Sequence, residues 1–236
     1  AETAGLSPSP KAAFFGVTHS GDRATGISDE HLVVPLAREI EEEAESWEIS
    51  LIRGGQARKA ELQKLLGGPE TPDILLTASH GLPDTDQVHR SGALITADWP
   101  GPESNRRPDE KEQYYLAAKH IKDNARLLGL IAFFFASNTA GSSAANDQSS
   151  PYLSELPRRL LSHPQGGALA IIGHVDLVLT SSFARGPILF NNFISRLQAG
   201  YTVGRAMDAF RNRYAGYTAR WAELALEPDM DQEKGE

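Results

Sequence analysis

Two stretches of this chain place a reactive side chain directly after an apolar run. Ile74-Leu75-Leu76-Thr77-Ala78-Ser79-His80-Gly81 ends in an imidazole and a glycine. Leu130-Ile131-Ala132-Phe133-Phe134-Phe135-Ala136-Ser137-Asn138-Thr139-Ala140-Gly141 ends in a hydroxyl, Ser137, and a glycine-containing turn. Continuous apolar runs of this length mark strands buried on both faces of a parallel sheet. Reactive groups in such sheets collect beyond the carboxyl ends of the strands. If the two strands are neighbours, a base and a nucleophile share one crevice, as nucleophilic catalysis requires. Gly81 lets a substrate approach the backbone and can offer its N–H to a developing oxyanion.

Each residue also has a plain structural reading. His80 can be a loop histidine bonded to nearby backbone, and Ser137 a serine that ends a strand by turning onto its own main chain. No G-x-S-x-G elbow surrounds Ser137, and no carboxylate that would orient His80 is evident. A third apolar run delivers Gly173-His174-Val175-Asp176. Two apart on extended chain, His174 and Asp176 point to one face. They can line a substrate pocket, with Asp176 attracting a basic side chain, or make a local structural hydrogen bond. His19, Asp22 and Asp98 fall at loop positions without an assigned role. His80, His174 and Asp176 match no compact metal-ligand spacing, so neither metal nor cofactor is expected.

The elements that position these groups read as an alternation. Ala12 to Val17 predicts a first strand, and a helix follows from Ser28 to Trp47, capped by Ser28-Asp29-Glu30-His31 with Leu32, Leu36, Ile40 and Ala44 at helical spacing. Then come a short strand from Glu48 to Ile52, a helix from Gln56 to Leu66 stopped by Gly67-Gly68-Pro69, and the strand from Ile74 to Ala78. Gly92 to Thr96 predicts a small hairpin, Asp98 to Pro108 a loop, and Glu110 to Asn124 a helix leading into the Phe-rich strand. Ser142 to Ser150 is a small, polar loop beside Ser137. A helix from Tyr152 to Ser162, a buried strand from Gly167 to Gly173, and helices at 187–199 and 203–224 complete the chain. Strand and helix in alternation imply an α/β fold, a mostly parallel sheet with helices on both faces.

The chain has 236 residues, enough for one large domain with a substantial core. A formal charge of -8 argues against an electrostatic grip on nucleic acid or anionic membrane. No apolar stretch approaches the roughly 18 residues of a membrane span. With no cysteine, disulfides and thiolate metal sites are excluded, and a cytoplasmic setting fits. The chain starts at Ala1 without Met and shows no signal-peptide pattern, which predicts a piece of a larger protein. One domain over 12–226 is expected, between flexible ends at 1–11 and 227–236.

In order and spacing these motifs resemble the CHAT domains, relatives of caspases within the caspase-like cysteine peptidases. The family carries a His-Gly after one strand and an Ala-Cys with a glycine-containing turn after the next. Thr77-Ala78-Ser79-His80-Gly81 is similar to the first motif, and Ala132 to Gly141 to the second. Gly167 to Asp176 and Leu197 to Met207 look like later elements of the family, so the resemblance extends over residues 12–224. Ser137 stands where the family has its nucleophilic cysteine. Either the cysteine was replaced to give an inert form or the serine is natural, and the absence of any cysteine favours replacement.

The resemblance implies a caspase-like endopeptidase acting on protein or peptide. His80 would move the proton, residue 137 would attack, and the N–H groups of Gly81 and residue 137 would hold the oxyanion. Loops 82–91 and 142–151 would border the substrate groove, with His174, Asp176 and Asp147 near it. CHAT domains often accompany helical repeats or sit in bacterial defence systems, which implies a regulatory repeat region or partner protein. A thiol near pKa 8.5 is readily ionised beside an imidazole, whereas a serine needs a base held by a third group. The expected chain binds substrate and cleaves it poorly or not at all. Two other readings stay open: a non-catalytic scaffold module, and a serine hydrolase using Ser137 directly.

Overall fold

Strand β1, Lys11–Gly16, lies inside the sheet, and every residue after Lys11 is apolar or small and is buried. It pairs in parallel with β2, Glu48–Arg53, on one side and with β3, Ile74–Ala78, on the other. These belong to a computed structural model that describes residues 10–43, 46–82, 88–142, 152–175, 177–178 and 186–226. Beyond β3 lies β6, Ile131–Phe135, and then β9, Ala170–Gly173, all parallel, giving the order β2-β1-β3-β6-β9. The fold is α/β, as the alternation predicts.

β3 and β6 are buried at every position, which is why both read as apolar runs, broken only by the buried Thr77. β9 is only partly buried, since it is an edge strand with β6 on one side. Alternation divides the strand residues between two faces. Ala13, Phe15, Leu75, Ala132 and Phe134 form one core with Leu62 and Leu65 of helix α3, Lys59–Leu65, and with Leu156 and Leu160 of helix α4, Glu155–Leu161. On the opposite face Gly16 lies against Asp29 and Val33, which belong to the segment joining β1 to β2.

That segment departs from the expected single helix. It starts earlier, as α1 at Arg23–Ser28, widens into a π-turn at Asp29–Val33, and continues as α2 at Val34–Glu43. The cap is Asp22, whose side chain accepts from Ala24 and Thr25 N–H, not the Ser28 group. Pro35 explains the π-turn: it has no N–H and its ring crowds the carbonyl four residues back. The wider turn, with Val34 N–H on Asp29 O, makes room.

The helix expected over 110–124 does not form. Tyr114, Tyr115, Leu116 and Ala117 are buried in succession, a pattern no one-sided helix can satisfy. Instead β5, Tyr115–Leu116, pairs antiparallel with β4, Leu94–Ile95. The Gly92–Thr96 stretch therefore finds its strand partner 20 residues away, not in a local hairpin. The strand β7, Gly141–Ser142, pairs with β8, Tyr152–Leu153.

Contacts divide the chain into two compact units, Ala1–Pro187 and Ile188–Glu236. The second holds most of α5, Gly186–Gln198, then α6, Val203–Ala206, and α7, Asp208–Leu226. Within it the rings of Phe190 and Phe210 meet edge-on with centroids 5.2 Å apart.

Candidate active site

β3 and β6 are hydrogen-bonded neighbours in register, Ala78 opposite Phe135. The ladder runs one residue further, with Ser79 N–H donating to Phe135 O at 3.2 Å. The next residues of each strand tip, His80 and Ser137, line one pocket together with Ala24, Thr25, Ser28, Ser79, Phe135 and Val178. The pocket has about 320 Å³ of empty space including its open mouth. Its floor is built from two strand ends and its wall from α1. The imidazole and hydroxyl that the sequence pairs by strand logic are thus brought together.

Gly81 has a specific packing reason to be glycine. A Cβ there would lie 1.9 Å from the carbonyl oxygen of Ser137, so the two backbones meet more closely than any other residue allows. The main chain of 80–82 is held from its other side by β4, with Ile95 N–H donating to His80 O and Leu82 N–H to Ala93 O, both 2.9 Å.

The turn after β6 is organised by Thr139, whose buried hydroxyl sits among Phe134 O at 3.2 Å, Ala136 O at 2.9 Å and the N–H of His174 at 3.3 Å. Asn138 takes the left-handed conformation at φ 55°, which asparagine tolerates better than most residues. Its carbonyl accepts from the Ser154 hydroxyl at 2.9 Å. The Ser137 hydroxyl oxygen accepts the N–H of Val178 at 3.1 Å. That contact leaves the serine proton free and favours negative charge on its oxygen.

A carboxylate for His80 exists, and it is Asp22. His80 Nε2–H donates to Asp22 Oδ2 at 2.6 Å, with His80 38% exposed at its side chain and Asp22 only 8%. The two oxygens of Asp22 divide the work. Oδ1 accepts from Ala24 N–H at 3.1 Å and Thr25 N–H at 3.4 Å at the start of α1, while Oδ2 faces the imidazole. Burial by itself would push this carboxyl up. The contacts with His19 and His80, the charge of His80 and the Thr25 N–H outweigh it and hold Asp22 well below the usual carboxylate range. An ionised Asp22 can only accept, so the proton it binds fixes the Nε2–H tautomer and leaves Nδ1 of His80 as the basic atom.

Sequence reasoning missed Asp22 for an identifiable reason. The apolar periodicity of the helix begins at Leu32, because α1 turns Ala24, Thr25 and Ser28 towards the pocket, not large apolar residues towards the core. The usable signal was Gly21-Asp22 directly ahead of Arg-Ala-Thr, an N-cap in type and place.

The other expected site residues fare differently. His174 is partly buried, its ring edge-on to Phe135 with centroids 5.0 Å apart, and burial pushes its imidazole down. It is not among the residues lining the pocket, although Phe135, on which it packs, is. Asp176 and Asp147 lie outside the described residues, as do 83–87 and 143–151 of the two expected groove loops. Among the described residues no group of three or more His, Cys, Asp or Glu could hold a metal ion, and no helix is long and apolar enough to cross a membrane. The chain matches no protein-family model and no curated protein sequence.

Proposed function

We propose that this chain is a caspase-like endopeptidase domain acting on a protein or peptide substrate, with Ser137 in the nucleophile's place. The observation that supports this reading is the shared pocket of His80 and Ser137 on adjacent strand tips. In the reaction the oxygen of residue 137 attacks the scissile carbonyl carbon, and its proton passes to Nδ1 of His80. The carbonyl electrons move onto oxygen, where the backbone N–H groups of Gly81 and residue 137 stabilise the charge. The C–N bond then breaks, and His80 returns the proton to the leaving amine. Water hydrolyses the acyl group by the same path in reverse. Asp22 stays ionised and steadies the imidazolium.

With serine at 137 the attacking group is a poor acid, so the domain holds substrate and turns it over slowly. A cysteine at 137 restores a readily ionised nucleophile. A regulatory repeat region or partner protein in the cytoplasm would control access. One observation favours a second reading, direct serine hydrolysis: the carboxylate on His80 is the third group a serine needs.

The test compares the unaltered chain, Ser137→Cys, and Ser137→Cys with His80→Ala against a peptide library. Cleavage by Ser137→Cys that vanishes on loss of His80 is the expected result. Turnover by the unaltered chain, blocked by a serine-directed phosphonate, selects the second reading. No cleavage by either form, with peptide binding retained, leaves only the scaffold role.

A further inference from the structure

We propose that His19 is a second positioning residue, one that governs how firmly Asp22 holds His80. This rests on the reading of His80 as the proton carrier. His19 lies in the turn between β1 and α1, and its ring is locked from several sides. Nε2 lies 3.1 Å from Thr96 O, and because a carbonyl only accepts, Nε2 carries a hydrogen. The ring stands edge-on to Trp99 with centroids 4.7 Å apart, and a Cβ on Gly101 would lie 3.0 Å from the His19 Cβ. The main chain is pinned as well, His19 N–H to the Thr25 hydroxyl at 3.3 Å and Asp22 N–H to His19 O at 3.2 Å.

With Nε2 committed, Nδ1 is the only other polar atom of the ring. It is buried, has no hydrogen-bond partner, and lies 3.8 Å from Asp22 Oδ2, with the side chain 2% exposed. That oxygen is the same one that accepts from His80, while the other is occupied by the α1 backbone. Two imidazoles thus compete for one oxygen. A proton on Nδ1 of His19 places positive charge beside Oδ2 and weakens its hold on a protonated His80. Among the described residues Asp22 faces it from the α1 cap, and His80 reaches the same Asp22 oxygen from the β3 tip. On the 96–104 segment Asp98 accepts from the Thr96 hydroxyl at 3.1 Å, and Glu103 accepts from Ser20 at 2.7 Å.

The experiment follows the imidazole N–H protons of the full chain by NMR at one fixed pH, in the unaltered chain, His19→Gln, Asp22→Asn and the double variant. The unaltered chain should show a far-downfield His80 Nε2–H resonance from its hydrogen bond to Asp22, and Asp22→Asn should abolish it. His19→Gln should move that resonance further downfield, and the movement should vanish when Asp22 is already Asn. No such resonance in the unaltered chain, an unmoved resonance in His19→Gln, or an equal movement in both backgrounds overturns the proposal. These readouts need no turnover, so absence of peptide cleavage would sink the peptidase reading and leave this coupling standing.

Discussion

At the tips of β1 and β3 a carboxylate meets two imidazoles, whereas near β5 an imidazole lies among two ammonium groups and one carboxylate. The second cluster centres on His120, whose Nδ1 accepts the N–H of Ala117 at 2.9 Å. Burial pushes His120 down to about 4, the charges of Lys59 and Lys119 push the same way, and Glu112 only partly offsets them. Lys59 is itself pushed down by burial and stands over the ring of the fully buried Tyr115 at 5.9 Å. Both clusters bury histidine, yet they leave opposite residues of chemistry. His120 has spent its basic nitrogen on the backbone and is kept neutral by its neighbours. His80 donates to a carboxylate and keeps its basic nitrogen unspent, on a side chain open to a pocket. Burial alone does not make a histidine a base; the balance of surrounding charge and the ring atom left over decide that.

Four measurements would break or sharpen that contrast. In the Ser137→Cys form, His80→Ala should reduce kcat/KM by roughly 10²–10⁴-fold, while His120→Ala should leave it within a few-fold; equal losses would erase the distinction. Next in size, Asp22→Asn in the same form should lower kcat by about 10–100-fold with little change in KM, because it removes orientation and not substrate contact. A pure KM effect would show Asp22 to be only a helix cap.

Thr139→Val should then cost about 1–3 kcal/mol in denaturant unfolding, since it strips a buried hydroxyl from two carbonyls and an N–H. The His80 pocket should loosen with it, visible as faster amide exchange at Ser137. Comparable in size is a pH effect on stability. His120 is lowered from 6.5 to about 4 in the folded chain, so between those values the unfolded state binds the extra proton. Stability contributed by the neutral ring is present above pH 6.5 and declines as pH falls towards 4, by on the order of 2 kcal/mol. His120→Gln should flatten that part of the curve. Asp22 acts in acid too, its depressed carboxyl losing its contribution only below the ordinary Asp range.

What was legible in the sequence followed from strong local signals. β3 and β6 announced themselves because strands covered on both faces are almost wholly apolar, Thr77 being the exception, and the parallel sense of β1, β2 and β3 followed from the helices between them. The placing of His80 and Ser137 at the tips of β3 and β6 was legible for the same reason, since both residues interrupt those runs abruptly. The 110–124 segment misled because its Glu, Lys, Gln and Ala content favours a helix in isolation, while Tyr115 and Leu116 are worth more paired with Ile95 and Leu94 in a buried two-stranded ladder. Propensity lost to burial.

From composition and pattern alone came the α/β class and the placing of one imidazole and one hydroxyl at neighbouring strand tips. Asp22 and His19 needed the tertiary fold. Asp22 is 58 residues from His80 and reads locally as nothing more than a turn residue. Only the closing of β1 against β3, which sets Gly16 beside Ala78, swings the β1–α1 turn over the His80 ring. Side-chain periodicity records which face a residue takes within its own element. Which two elements lie side by side is settled by the packing of the whole sheet, and the Asp22–His80 hydrogen bond across them depends on it.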